Sequence, residues 1–119
     1  MSVELNRSGY EYAQRLALEG HVVLDERDDW SEHQPTAAAE NEFIREHGIG
    51  AYANWHLGID ASHGEDTKAR YKFPYGDFRD VHRCAVLAAE SRAGQRTYVD
   101  IEVAAAHLHG MLETRRASV

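Results

Sequence analysis

Apolar side chains recur at helical spacing along most of the chain, and the longest such pattern lies near its end. Ile101, Ala104, Ala105, Leu108, Met111 and Leu112 share one face of a segment running from about Thr97 or Asp100 to Glu113, the repeat of an amphipathic helix. Val81, Cys84, Ala85, Leu87 and Ala88 mark the stripe of another helix, from Asp77 or Phe78 to about Ala93, with Gly94 as its terminator. Alanine dominates both stripes. Small side chains let helix axes approach closely, so the pair is expected to form an antiparallel hairpin. Upstream, Tyr10, Ala13, Leu16 and Ala17 predict a helix over 8–20 closed by Gly20, and Pro35-Thr36 opens one carrying Ala39, Phe43 and Ile44 as far as Gly48. Ala51 to His56 adds a turn or two with Tyr52 and Trp55 on one face, and Leu57 to Asp60 closes it. His21 to Asp25 alternates and has strand character. Glu26 to Gln34 and Ala61 to Asp66 read as loops, Thr67 to Tyr71 as a helical turn, and Phe73-Pro74-Tyr75-Gly76-Asp77 as a turn. The expected fold is all-α. Residues 1–119 would form one domain of four or five short helices ending in the alanine-rich hairpin, with at most a minor β-element.

Composition supports a folded core: 43% of the 119 residues are hydrophobic and 28% charged, too apolar for a disordered chain. A single cysteine, Cys84, excludes an intramolecular disulfide and a tetrathiolate zinc site within one chain. The first seven residues lack a basic start followed by an apolar run, so no secretory leader is expected. The longest apolar run, Cys84 to Ala89, is far short of the roughly 20 residues that cross a bilayer. The expected location is the cytoplasm, with no membrane partner. The net charge of −7 is uneven: residues 1–66 hold 14 acidic and 4 basic side chains, residues 67–119 hold 6 and 9. Overall acidity argues against nucleic-acid binding over the whole surface, but a local basic patch in the second half could bind an anion.

Eight histidines raise the question of a metal, and their spacing does not answer it. His107 and His109 are two apart on a helix, which separates their faces, and no HExxH pair exists. Asp60 to Gly64 lacks the oxygen ligands of a calcium loop. Only non-local pairs remain, such as His56 or His63 with His82, so neither metal nor cofactor is assigned. Cys84 reads as a small buried hydrophobe. His82, two residues away, falls on another face and cannot serve as a base for that thiol within the helix. There is no GxSxG, Walker loop or GxGxxG. One segment mixes cations with aromatic rings: Lys68, Arg70, Tyr71, Lys72, Tyr75, His82 and Arg83, with Phe73 and Arg79 among them. Such a mixture can bind phosphates and stack bases, and these residues are the candidate ligand site. The structural alternative is a demanding turn capped by Asp77, with the cations bridging to the acidic first half.

The stretch Asp66-Thr67-Lys68-Ala69-Arg70-Tyr71-Lys72-Phe73-Pro74-Tyr75-Gly76-Asp77-Phe78, then Val81-His82-Arg83 and Ala88-Ala89, resembles a small bacterial family frequent in actinobacteria. That family is built around a T-K-x-R-Y-K-F-P-Y-G-D segment followed by V-H-R-x-x-x-x-A-A, and the likeness extends to Trp55-His56-Leu57-Gly58. A looser likeness exists to phage-related modules in which a Y-K-Y/F-P turn precedes two alanine-rich helices. The resemblance implies that Arg70 to Asp77 and His82-Arg83 belong to a signature, and it carries no catalytic residue. The leading functional expectation is a non-enzymatic binding or adaptor module that meets an acidic protein surface or a nucleic acid through residues 68–83. Two alternatives stand beside it. One is a small enzyme or metal-binding protein using His56, Asp77 and His82. The other is a structural homodimer through the C-terminal helices.

Overall fold

Asn6 opens the fold. Its backbone is extended, and its buried side-chain amide donates to the carbonyls of Ala53 and His56 at 2.9 and 3.0 Å. It thereby links the strand before it to the helix after it. In the computed structural model, which describes residues 3–117, the elements follow in order as β1 (Val3–Leu5), α1 (Arg7–Leu18), β2 (Val22–Val23), α2 (Trp30–His33), α3 (Ala37–His47) and α4 (Ile49–Ala53). Next come β3 (His56–Asp60), a 3-10 turn (Lys68–Arg70), β4 (Tyr71–Pro74), β5 (Val81–His82), α5 (Arg83–Gln95) and α6 (Val99–Ala117). The leader reading rests partly on residues 1 and 2, which lie outside the described residues.

The helices expected from periodicity form where their caps allow. Gly20 takes φ +85° just past α1, and Gly48 takes φ +90° past α3, conformations that favour glycine. Thr36 caps α3 by accepting the Ala39 amide at 3.1 Å. Helices α5 and α6 make the most extensive contact in the molecule. Ala85, Ala89 and Ala93 of one and Ala104 and Ala105 of the other are buried. Asp100 and Glu102 sit in the first turn of α6 and Arg115 and Arg116 in its last, the polarity its dipole favours. Val99 and Val103 are the large aliphatics of α6 left exposed among the described residues. No described helix is long and apolar enough to cross a membrane.

The all-α expectation is overturned by two small sheets, so the fold is mixed α/β. In the first, β3 runs between β1 and β4, antiparallel to both, with Leu5 opposite Gly58 and Gly58 opposite Lys72. Leu57 to Asp60 is therefore a strand and not a helix ending. The pairs that stabilise it come from residues far away in sequence, so no local period announces it. Phe73-Pro74 ends an edge strand, a place where proline's missing N–H costs no ladder bond. In the second sheet β2 and β5 pair in parallel, with Val22 opposite Val81 and Val23 opposite His82.

The helix expected from Asp77 or Phe78 starts instead at Arg83. Asp77 accepts the amides of Arg79 and Asp80 at 3.0 and 2.8 Å, and Phe78 has φ +73°, which breaks any helix there. The core joins Leu57, Tyr75, Val81, Val86, Ile101, Leu108 and Leu112 to Ala13 and Leu16 of α1, so α1, α6 and the three-stranded sheet share one hydrophobic cluster.

Candidate metal centre

A two-residue parallel ladder aligns the site. With Val22 opposite Val81 and Val23 opposite His82, the same register carried two residues further sets Asp25 beside Cys84. Asp25 Oδ1 accepts the Cys84 amide at 2.8 Å and so caps the start of α5, where free N–H groups favour a carboxylate. Its other oxygen is the focus of three side chains. His33 Nδ1 and His82 Nδ1 each lie 2.7 Å from Asp25 Oδ2, and Cys84 Sγ lies 3.0 Å from it. His33 reaches this point because α2, a single turn following the left-handed Asp28 (φ +77°), projects it over the start of α5. The four donor atoms lie within 4.8 Å of one another. The Asp25 and His82 side chains are buried, and His33 is 36% exposed, so the cluster opens to solvent on the His33 side.

The outer contacts hold these groups in place. His82 Nε2 donates to Asp77 Oδ2 at 2.9 Å, and Asp77 is itself fixed by the Arg79 and Asp80 amides. Trp30 and His33 lie against the His82 ring, with centroids 5.7 and 5.4 Å away. Arg83 donates to the Asp25 carbonyl at 3.0 Å and pairs with Glu113 of α6.

Burial pushes the Asp25 carboxyl up, but hydrogen bonds from the Cys84 amide and thiol and from His82 and His33 outweigh it and hold it at about 2. Burial pulls His82 down, yet the carboxylates of Asp77 and Asp25 leave it above the ordinary histidine value. Burial and the Asp25 carboxylate together push the Cys84 thiol well up. In this arrangement Cys84 is a thiol donating to a carboxylate, which is the reverse of an activated nucleophile.

A divalent ion reverses that logic, because it replaces the protons directed at Asp25 Oδ2 and stabilises the thiolate and the carboxylate alike. Two imidazoles, a thiolate and a carboxylate are a donor set for zinc or a similar transition metal, and a poor one for calcium or magnesium. Tetrahedral zinc with bonds of about 2.0–2.3 Å separates its ligand atoms by roughly 3.3–3.7 Å. The observed distances of 2.7, 2.7, 3.0 and 4.0 Å within the cluster lie within about an ångström of that spread.

Of the residues singled out from sequence, His82 stands at the centre of this cluster and Arg83 at its edge. The others have different partners. Lys68 pairs with Glu40 at 2.9 Å and donates to Asn41, and Arg70 donates to the His63 carbonyl. Tyr71 donates to the Glu65 carbonyl, and Lys72 lies on β4 opposite Gly58. Tyr75 is completely enclosed and donates to the Asn54 carbonyl at 2.6 Å. Asp77 and His82 of the alternative trio do meet. His56 does not join them: it is buried, with Nδ1 donating to the Tyr52 carbonyl at 2.8 Å.

Sequence reasoning missed Asp25 and His33; Cys84 is buried as expected, but its thiol also faces Asp25. The signal was the spacing His82-x-Cys84. Within one helix it separates two side chains, but here His82 is extended at φ −100°, ψ 127° and Cys84 lies in the first turn of the helix that follows, and both reach Asp25. No protein-family model matches the chain, and no curated protein and no solved structure matches it either.

Proposed function

We propose that this chain is a metal-binding protein that holds one divalent transition-metal ion, zinc foremost, through Asp25, His33, His82 and Cys84. The observation that carries the reading is the convergence of two imidazole nitrogens and a thiol on one oxygen, Asp25 Oδ2. A carboxylate oxygen offers about two lone-pair directions, and three donors compete for them. A cation at that focus accepts a lone pair from each group instead. The Asp77–His82 contact supports the same reading, since a ligating histidine characteristically donates its other nitrogen to a carboxylate. We prefer this reading to a ligand surface on residues 68–83, because Tyr75 is enclosed and Lys68, Arg70 and Arg83 are engaged by internal partners.

The test is elemental analysis of protein purified without chelator, together with zinc titration of stripped protein. About one zinc per chain is expected, with a higher melting temperature in the loaded form because the ion binds the native state. Cys84→Ser and His82→Ala should abolish stoichiometric binding. Full occupancy in both variants, or no zinc bound by the stripped wild-type protein, would sink the proposal.

A further inference from the structure

Beside the metal cluster lies a cleft of about 460 Å³ with Cys84 in its wall, within the range of small-molecule sites. Leu87 of α5, Phe73 of β4 and Trp30 of α2 supply apolar walls, and Arg27 and Arg92 line it from the loop before α2 and from α5. Neither arginine side chain has a hydrogen-bond or ion-pair partner among the described residues. By contrast, three cations elsewhere on this acidic chain are paired: Lys68 with Glu40, Arg83 with Glu113 and Arg116 with Glu26. The backbone is also held in unusual conformations here. Asp28 at φ +77° and Phe73 at φ +61° both line the cleft, and left-handed non-glycine residues carry strain that collects at ligand sites.

From these observations we propose that the cleft binds a small organic monoanion, a carboxylate with an aromatic or aliphatic body. Its charged group would lie on Arg27 and Arg92, where guanidinium forks match a carboxylate. Its body would lie between Trp30, Phe73 and Leu87. The Asp28 carboxylate at the same rim disfavours a multiply charged ligand such as a phosphate ester. This inference goes beyond the metal reading, since neither the arginines nor the apolar walls are among the four proposed ligands.

The test is a nitrogen–proton NMR titration with 3-phenylpropionate, hexanoate and the neutral 3-phenylpropionamide, on zinc-stripped and zinc-treated protein. Saturable shifts are expected at the Trp30 indole and along α5. The acid should bind about tenfold or more tightly than its amide, the worth of one hydrogen bond to a charged group. The double variant Arg27→Ala, Arg92→Ala, at exposed positions, should keep the wild-type spectrum elsewhere and lose that preference. Equal binding of acid and amide, a preference that survives the double variant, or no saturable shift with either acid would overturn the cleft proposal. Zinc content measured on the same samples keeps the two ideas apart. Carboxylate binding by protein that takes up no zinc removes only the metal reading, and zinc uptake without carboxylate binding removes only the cleft.

Discussion

Asp25 has two tasks that pull in one direction. One oxygen caps α5 through the Cys84 amide and the other receives the Cys84 thiol and both imidazoles. The helix start therefore fixes the carboxylate before any ion arrives, and that reduces the ordering a metal must drive. Asp77 does the same for His82. If Nδ1 ligates the ion, the Nε2–H bond to Asp77 sets the tautomer and the ring plane. Asp77→Asn should therefore retain the fold and weaken zinc binding by roughly 10–100-fold. Competition against a chromophoric chelator measures this, and an unchanged affinity would show that Asp77 only closes its own turn. The residues 68–83 mix seen in the sequence mostly resolves into partners one by one: Tyr75 with Asn54, Lys68 with Glu40, Arg83 with Glu113.

Between elements, the controlling contact is the approach of α1 to β3. Gly9 lies so close to the strand that a Cβ there would stand 2.1 Å from the His56 carbonyl oxygen. That oxygen belongs to backbone which also accepts the Asn6 amide, so it cannot turn aside. Gly9→Ala should cost about 3 kcal/mol, the upper range for overpacking. It should appear as a lower urea midpoint at an unchanged m-value. A midpoint within error of wild type would mean that α1 can slide along the sheet. The β2–β5 ladder is shorter still, two residues in each strand, yet it sets the register that places Asp25 beside Cys84. A slip of one residue in a parallel pair would turn the Asp25 side chain to the other face.

For the whole molecule, buried histidine links stability to pH. His56 is enclosed, and burial holds it at about 4, against an ordinary value near 6.5. Above pH 6.5 it is neutral in both folded and unfolded chains and contributes no pH dependence. Between pH 6.5 and 4 the unfolded chain takes up a proton that the folded chain does not, so stability falls with pH. The loss approaches about 3 kcal/mol at pH 4, because each pH unit across that window is worth about 1.36 kcal/mol. Urea unfolding of wild type and His56→Gln over this range isolates the effect, because the difference between the profiles removes the contributions of other groups. Parallel profiles would show that His56 protonates freely in the native state.

Two classes of feature separate at this scale. Sequence alone determined the helices whose signals are local: the 3.6-residue stripes of α1, α3, α5 and α6, the glycine ends at Gly20 and Gly48, and the alanine contact between α5 and α6. Each depends on residues within a few turns of one another, so the pattern carries them. Beyond the strand character legible at 21–25, tertiary structure decided the sheets and the Asp25–His33–His82–Cys84 cluster. Strand β3 exists because β1, some fifty residues earlier, and β4 pair with it. The cluster needs Asp25, His33, His82 and Cys84 from three elements and one loop, and no period in the chain links residue 25 to residue 84. His82 leaves the helix because β2 recruits it into a parallel pair. With His82 on the strand and Cys84 in the first turn of α5, both side chains reach Asp25 Oδ2.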